Sequence, residues 1–163
     1  MRAAIVTIST SVAAGRTEDT SGHALAELAQ RAGAEVVASE TVTDDQRTIE
    51  EALRRHSAPQ TGISLIFTTG GTGLTPDDVT PEATRAVIDR DAPGFAEAMR
   101  AESLKYTPHG ILTRGVSGIA NRTLIINFPG NPKAIRELFP VIAPTLEHVV
   151  ATLEREGGRS AGH

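Results

Sequence analysis

Ile63-Ser64-Leu65-Ile66-Phe67 is a mostly apolar run of five residues that empties straight into Thr68-Thr69-Gly70-Gly71-Thr72-Gly73. A run this short and this apolar reads as a strand buried on both faces, the pattern of a parallel sheet with helices above and below. The glycines end it, and a new helix is expected from about Thr80. Thr80 is read as its cap, Pro81 as its first residue and Glu82 as the acid of its first turn. Between turn and helix stand Asp77 and Asp78. A strand that opens into bare backbone and then into acid side chains is how an open α/β sheet builds a ligand crevice at its carboxyl edge.

The same grammar recurs along the chain. Ala3 to Ile8 reads as a strand that ends in Ser9-Thr10-Ser11 and a loop. A helix capped by Thr20 or Ser21 follows, with Leu25, Leu28 and Ala29 on its apolar face and a stop near Gly33. A second strand runs from Glu35 towards Val42. Thr43-Asp44-Asp45-Gln46 then reads as a capping box, before a helix striped by Ile49, Ala52 and Leu53. After Gly94–Met99, another helical segment, Leu104–Arg114 is irregular. Thr123–Asn127 is a further buried strand that ends at Phe128-Pro129-Gly130-Asn131-Pro132. There Asn131 is expected to cap a helix and Pro132 to open it. A last helix is expected from Pro144 to Arg155, and a disordered tail from 157 to 163. Strands alternating with helices give an α/β fold of three layers, a mostly parallel sheet between helices. The four clearest strands end at Ser9, Val42, Thr68 and Asn127, so their trailing residues are expected on one edge of the sheet.

Composition narrows the function classes. A chain of 163 residues is read as a single domain over residues 1–156. It has no cysteine, which removes disulfides, thiolate metal sites and cysteine nucleophiles. The formal net charge is −4, and the 16 basic residues form no stripe of the kind that binds a duplex. With no tryptophan, one tyrosine and four phenylalanines, stacking platforms for single strands are not expected. The first residues lead directly into Ala3–Ile8, with neither signal peptide nor membrane span. The expectation is a cytoplasmic protein with no nucleic-acid or membrane partner.

The glycine turn leaves two readings open. It is no P-loop, because no Lys-Ser or Lys-Thr follows, and no dinucleotide fingerprint, because the third glycine is missing. Either its glycines merely supply positive φ, or its peptide N–H groups hold an anion. Asp44 and Asp78 are equally two-sided. Each is either an acid favoured at a helix start or a ligand for magnesium, which takes one or two carboxylates and completes its shell with water and phosphate. Pro129-Gly130-Asn131-Pro132-Lys133 is either a strand-to-helix turn or a phosphate site with the Lys133 ammonium as a point charge. The five histidines show no ligand spacing, and no serine sits in a nucleophile elbow.

Taken together, Thr68–Gly73, Asp78-Val79-Thr80-Pro81-Glu82 and Ile125-Ile126-Asn127-Phe128-Pro129-Gly130-Asn131-Pro132-Lys133-Ala134 resemble the MogA/MoaB family, molybdopterin-binding proteins of molybdenum cofactor synthesis. The likeness extends to Asp19-Thr20-Ser21-Gly22, Thr43-Asp44-Asp45 and Thr113-Arg114-Gly115, and so covers about residues 3 to 153. The resemblance implies a three-layer fold assembled as a trimer or a dimer of trimers, alongside other cofactor-synthesis proteins. It implies magnesium-dependent adenylyl transfer from ATP to molybdopterin, with pyrophosphate as the second product. Asp44 and Asp78 would be the catalytic and metal-binding acids. Thr69, Gly70, Gly71, Thr72 and Gly73 would cradle phosphate, and Pro129, Gly130, Asn131, Pro132 and Lys133 would form another wall. Thr113, Arg114 and Gly115 would contact the pterin, with Thr113 where the family often has serine. A non-catalytic pterin carrier of the same fold is the alternative, and an unrelated flavodoxin-like nucleotide binder a third.

Overall fold

The computed structural model describes residues 1–155, so the tail expected at 157–163 lies outside the described residues. In chain order the elements are β1 (Arg2–Ile8), α1 (Thr10–Ala13), α2 (Thr20–Arg31), β2 (Glu35–Val42), α3 (Gln46–Ser57), β3 (Leu65–Thr69) and α4 (Thr80–Val87). Then come β4 (Arg90–Asp91), α5 (Gly94–Ser103), β5 (Ser117–Ala120), β6 (Thr123–Phe128), α6 (Pro132–Ile142) and α7 (Leu146–Glu154). Short 3₁₀ turns cover Pro59–Thr61, Pro108–Leu112 and Ala143–Thr145.

One six-stranded sheet runs in the order β2-β1-β3-β6-β5-β4. The first four strands are parallel, and β5 and β4 continue the sheet antiparallel. The unbroken apolar runs have a simple cause. Side chains alternate between faces along a strand, and here both faces are covered. Ala3, Ile5, Leu65, Phe67, Leu124, Ile126 and Phe128 enter one core with residues of α2, α6 and α7. Ala4, Val6, Ile8, Ile66 and Ile125 enter the other, against Ile49, Ala52 and Leu53 of α3 and Ala83 of α4. In the first core Phe67, Phe128 and Phe139 form a triad with ring centroids 5.4–5.9 Å apart. Such aromatic pairs add about 0.5–1.5 kcal/mol each beyond their buried area.

Register aligns the strand ends. Ile8 pairs with Val42, Thr7 with Thr69, and Thr69 with Phe128. The four expected endings therefore do share one edge. The order of connection reverses between β1 and β3, since β2 lies on one side of β1 and β3 on the other. That is the switch point at which open α/β sheets place their ligand crevice.

Several local expectations are corrected. The helix caps are Asp19 and Asp45, whose carboxylates accept from Gly22 N–H and Thr48 N–H; Thr20, Ser21 and Thr43 do not cap. Aspartate reaches the orphan donors as well as a hydroxyl does and adds a favourable charge. Asp44 thus lies in the loop before α3, not in its first turn. Thr80 is inside α4 and sends its hydroxyl to Gly70 O, 2.9 Å away. Ser9-Thr10-Ser11 is not plain loop, because Ser9 caps the short α1. The last expected helix is split into a 3₁₀ turn and α7.

Candidate functional site

Each strand end contributes one part of the carboxyl edge. The glycine turn after β3 is shaped mainly by what surrounds it. Gly70 and Gly71 have φ of +98° and +67°. A Cβ on Gly70 would stand 2.3 Å from Ile8 O, and one on Gly71 would stand 2.3 Å from Thr80 Oγ1. Both glycines are thus required by backbone shape and by close packing, whatever the turn binds. Gly70 N–H donates to Phe128 O, and Thr69 Oγ1 donates to Pro129 O at 2.8 Å. The Pro129–Gly130 turn is thereby fastened to the glycine turn. Among the described residues the N–H groups of Gly71, Thr72, Gly130 and Asn131 donate to no protein acceptor. They are the donors available to an anion.

Asp78 stands behind this turn. Its Oδ2 accepts from both Thr75 N–H (3.0 Å) and Thr75 Oγ1 (2.8 Å). Burial pushes the Asp78 carboxyl up, but the Thr75 hydroxyl and N–H, the Gly73 N–H and the nearby Arg114 charge outweigh it and hold it below the usual carboxylate value. Asp44, after β2, repeats the arrangement. Its Oδ2 accepts from Thr10 N–H (3.0 Å) and Thr10 Oγ1 (2.9 Å), which ties it to the second residue after β1. β1 separates the strands that carry the two acids, so β2 and β3 lie about 10 Å apart at two strand spacings.

The third wall is as expected in its local geometry. Asn131 caps α6 by accepting from Lys133 N–H at 2.9 Å, and Pro132 takes the first helical position. Lys133 is largely exposed and stands 3.6 Å from Glu137, a loose pair that leaves the ammonium available to a ligand. Thr113, Arg114 and Gly115 come to the same edge by a route the sequence hid. Asn127 of β6, buried, accepts from Val116 N–H and donates to Thr68 Oγ1 and Thr84 Oγ1, each at 3.0 Å. From α5, Arg100 donates to Thr113 O and Gly115 O. Arg114 then crosses to the glycine turn, where its backbone N–H donates to Thr72 O and its Nε to Gly73 O, both at 2.8 Å.

Sequence reasoning did not single out for the site Thr10, Thr75, Arg100 and Glu82, which bond to the candidate residues Asp44, Asp78, Thr113 and Arg114. Thr75 was legible in principle, since a hydroxyl three residues before an aspartate is a local turn pattern. Thr10 lies 34 residues from Asp44, and nothing local joins them. Conversely, Asp19-Thr20-Ser21-Gly22 is a structural joint. Asp19 Oδ2 accepts from Thr7 Oγ1 at 2.9 Å while Asp19 Oδ1 caps α2.

A cavity of about 500 Å³ lies beside the carboxyl edge, between α5 and α6, and includes Lys133, Tyr106 and Arg136. Another, of about 630 Å³, lies at the opposite edge around Ser64 and Thr123, the amino ends of the strands. We place the site at the carboxyl edge because the convergent donors and acids are there. Among the described residues no three His, Cys, Asp or Glu side chains gather as a metal cage, and no helix is long and apolar enough to cross a membrane.

Residues 4–148 match the family model described as "Probable molybdopterin binding domain". The chain is 39% identical over 147 residues to the molybdenum cofactor synthesis protein cinnamon of Drosophila melanogaster, covering 90% of this chain and 24% of that protein. It is 45% identical over 111 residues to a molybdopterin adenylyltransferase of Helicobacter pylori strain J99, covering 68% of this chain and 62% of that one. The chain therefore spans less than two thirds of either relative. The crystal structure of the molybdopterin biosynthesis enzyme MoaB from Thermus thermophilus superposes with a TM-score of 0.86 at 43% identity, covering 93% of this chain and 95% of that chain. With a family model matched over most of its length and this fold, the chain belongs to the MogA/MoaB family of molybdopterin-binding domains.

Proposed function

We propose that this chain is a magnesium-dependent molybdopterin adenylyltransferase. The reading rests on one observation above all: Asp44 is clasped by Thr10 just past β1, and Asp78 is clasped by Thr75 behind the glycine turn that ends β3, the neighbour of β1, a turn with N–H groups that meet no protein acceptor among the described residues. Simple binding of an anionic pterin gains nothing from two carboxylates, whereas joining two phosphate-bearing substrates does if a cation is present. The name of the Helicobacter pylori relative supports the same activity.

The reaction would be attack by an oxygen of the pterin's terminal phosphate on the α-phosphorus of ATP. A new P–O–P bond forms, the bond to the β-phosphate breaks, and pyrophosphate leaves. The donor chemistry fits magnesium: two oxygen-bearing acids, and phosphates to complete the shell. Asp44 and Asp78 would hold the ion, which supplies charge neutralisation on the phosphates. The chain's own part is positioning. Gly71 and Thr72 N–H would meet phosphate oxygens with Thr69 and Gly73 shaping the cradle, while Gly130, Asn131 and Lys133 would fix the second polyanion. Thr113 and Gly115 would face the pterin.

A homotrimer or hexamer in the cytoplasm completes the proposal. Leu104, Tyr106, Ile111 and Leu112, all exposed around one irregular segment, are surface that such an assembly would cover. The test is incubation with ATP, magnesium and molybdopterin, followed by assay for adenylylated pterin and pyrophosphate. Tight pterin binding without product would instead favour the carrier function. Asp78→Asn should abolish turnover and leave pterin affinity equal or higher.

A further inference from the structure

Arg114 entered as a pterin contact, yet its side chain, although 36% exposed, is engaged by protein oxygens. Nε donates to Gly73 O, Nη2 donates to Asp78 O at 2.7 Å, and Nη1 and Nη2 both reach the Glu82 carboxylate. A guanidinium has five N–H donors, and four of these contacts already lie on protein oxygens. Glu82 neutralises its charge, and the hydrogen bond from Arg114 in turn holds the Glu82 carboxyl below its usual value. The base of the side chain is also fixed. Arg114 N–H is bound to Thr72 O, and Arg100 grips the carbonyls of Thr113 and Gly115 on either side. The partners of Arg114 span the whole stretch that carries Asp78: Thr72 and Gly73 before it, its own carbonyl, and Glu82 in α4 after it.

From this geometry we infer that Arg114 is a positioning residue that fixes the Asp78 loop and acts on the reaction through Asp78, without touching substrate. The inference deepens the adenylyltransferase reading and, for its kinetic part, rests on it. A planar fork that grips two carbonyls and a carboxylate at once suits this task, and lysine, a single point charge, does not. The other hydrogen bonds of the loop are local, between Thr75 and Asp78 and between Thr80 and the glycine turn. Leu74 is two-thirds exposed, and the stretch from Leu74 to Asp77 contributes no buried side chain. Displacement of a carboxylate by even about 1 Å is enough to cost on the order of 100-fold in rate.

The experiment compares Arg114→Met, Arg114→Lys and wild type by steady-state kinetics and by amide hydrogen exchange across Thr72–Val79. Temperatures are chosen at which circular dichroism shows each variant folded. Positioning predicts a kcat lowered by about 10- to 100-fold, KM for molybdopterin within twofold of wild type, and faster exchange in the loop. It also predicts that lysine restores little. A raised molybdopterin KM with intact kcat, near-complete rescue by lysine, or unchanged exchange would overturn it. Should Arg114→Met fail to fold, Glu82→Ala removes one end of the fork and should produce the same pattern in weaker form. An inactive wild type would remove the adenylyltransferase reading alone, because the exchange measurement still decides whether Arg114 orders the loop.

Discussion

Thr10 grips Asp44 twice, through its N–H at 3.0 Å and its hydroxyl at 2.9 Å, across 34 residues of sequence. Thr75 grips Asp78 in the same way at 3.0 and 2.8 Å. In both, Oδ2 alone is clasped, so one carboxylate oxygen is fixed in place while the other stays outside the clasp.

The clasps give the first prediction. Thr10→Val and Thr75→Val keep the side-chain volume and the N–H bond but remove the hydroxyl. Each should lower kcat by about 10- to 100-fold, in line with the loss of a hydrogen bond to a charged group, roughly 1.5–3 kcal/mol, and Thr10→Val additionally strands the Asp44 N–H that donates to the Thr10 hydroxyl. Both should also raise the magnesium concentration needed for half-maximal rate. Serine in place of either threonine should keep most of the activity. Steady-state assays at varied magnesium check all four variants, and wild-type kinetics in the valine variants would show the hydroxyls to be idle.

The glycines can be separated by stability. Gly70→Ala would force a Cβ to within 2.3 Å of Ile8 O at a φ of +98°. We expect a loss of about 2–4 kcal/mol, from backbone strain plus displaced β1. Gly15 also has positive φ, but a Cβ there meets nothing within 4 Å. Gly15→Ala should therefore cost only about 1–2 kcal/mol. Urea denaturation at neutral pH compares the two directly. Equal losses would mean that packing around Gly70 relaxes freely.

Asn127 is the buried pin beneath the site. In Asn127→Leu, Val116 N–H loses its side-chain acceptor, and two buried threonine hydroxyls lose a donor. The expected destabilisation is about 2–4 kcal/mol, since an orphaned buried polar group costs about 1–3. Adding Thr68→Val and Thr84→Val should recover part of it, because the apolar replacements remove two of the stranded groups. A triple variant no more stable than the single one would count against this network.

The acids also set a pH dependence. The hydrogen bond from Arg114 lowers the Glu82 pKa, and that from Arg55, with His56 beside it, lowers the Glu40 pKa. Asp78 is lowered as described above. A carboxylate with a folded pKa below its unfolded one contributes stability that is present above the unfolded value, about 4. That stability is lost as pH falls through the folded value, because the unfolded chain then binds more protons. Unfolding midpoints should thus decline as pH falls below about 4.5. Glu82→Gln should flatten part of that decline, as thermal scans across the acid range up to neutral pH would show.

What could be read in the sequence follows the distance over which each feature is built. Buried parallel strands announce themselves, because both faces must be apolar, so β1, β3 and β6 were visible within a residue or two. β5 was not, since Ser117-Gly118-Ile119-Ala120 is small and mixed, and it is a strand only because β6 lies beside it. β4, two exposed residues, exists only as the edge of β5. At the site, Asn131 and Pro132 were legible because a cap is a local device. Arg114 was singled out by motif, but its pairing with Gly73, Asp78 and Glu82 could not be, because these lie 32 to 41 residues away. Motif likeness shows which residues gather, and only coordinates show which way they face.

The fastening of the Gly70 turn to the Pro129 turn also bears on how the chain matures. Phe128 O and Pro129 O come from the last third of the sequence, 58 and 60 residues after their donors. β1, β2 and β3 can pair as soon as they leave the ribosome, but their carboxyl edge remains an unfinished loop until β6 arrives. Fastening of the glycine turn is therefore a late event, gated by a long-range strand insertion of the kind that slows folding. A nascent chain halted before residue 128 would lack both carbonyls that fasten the glycine turn.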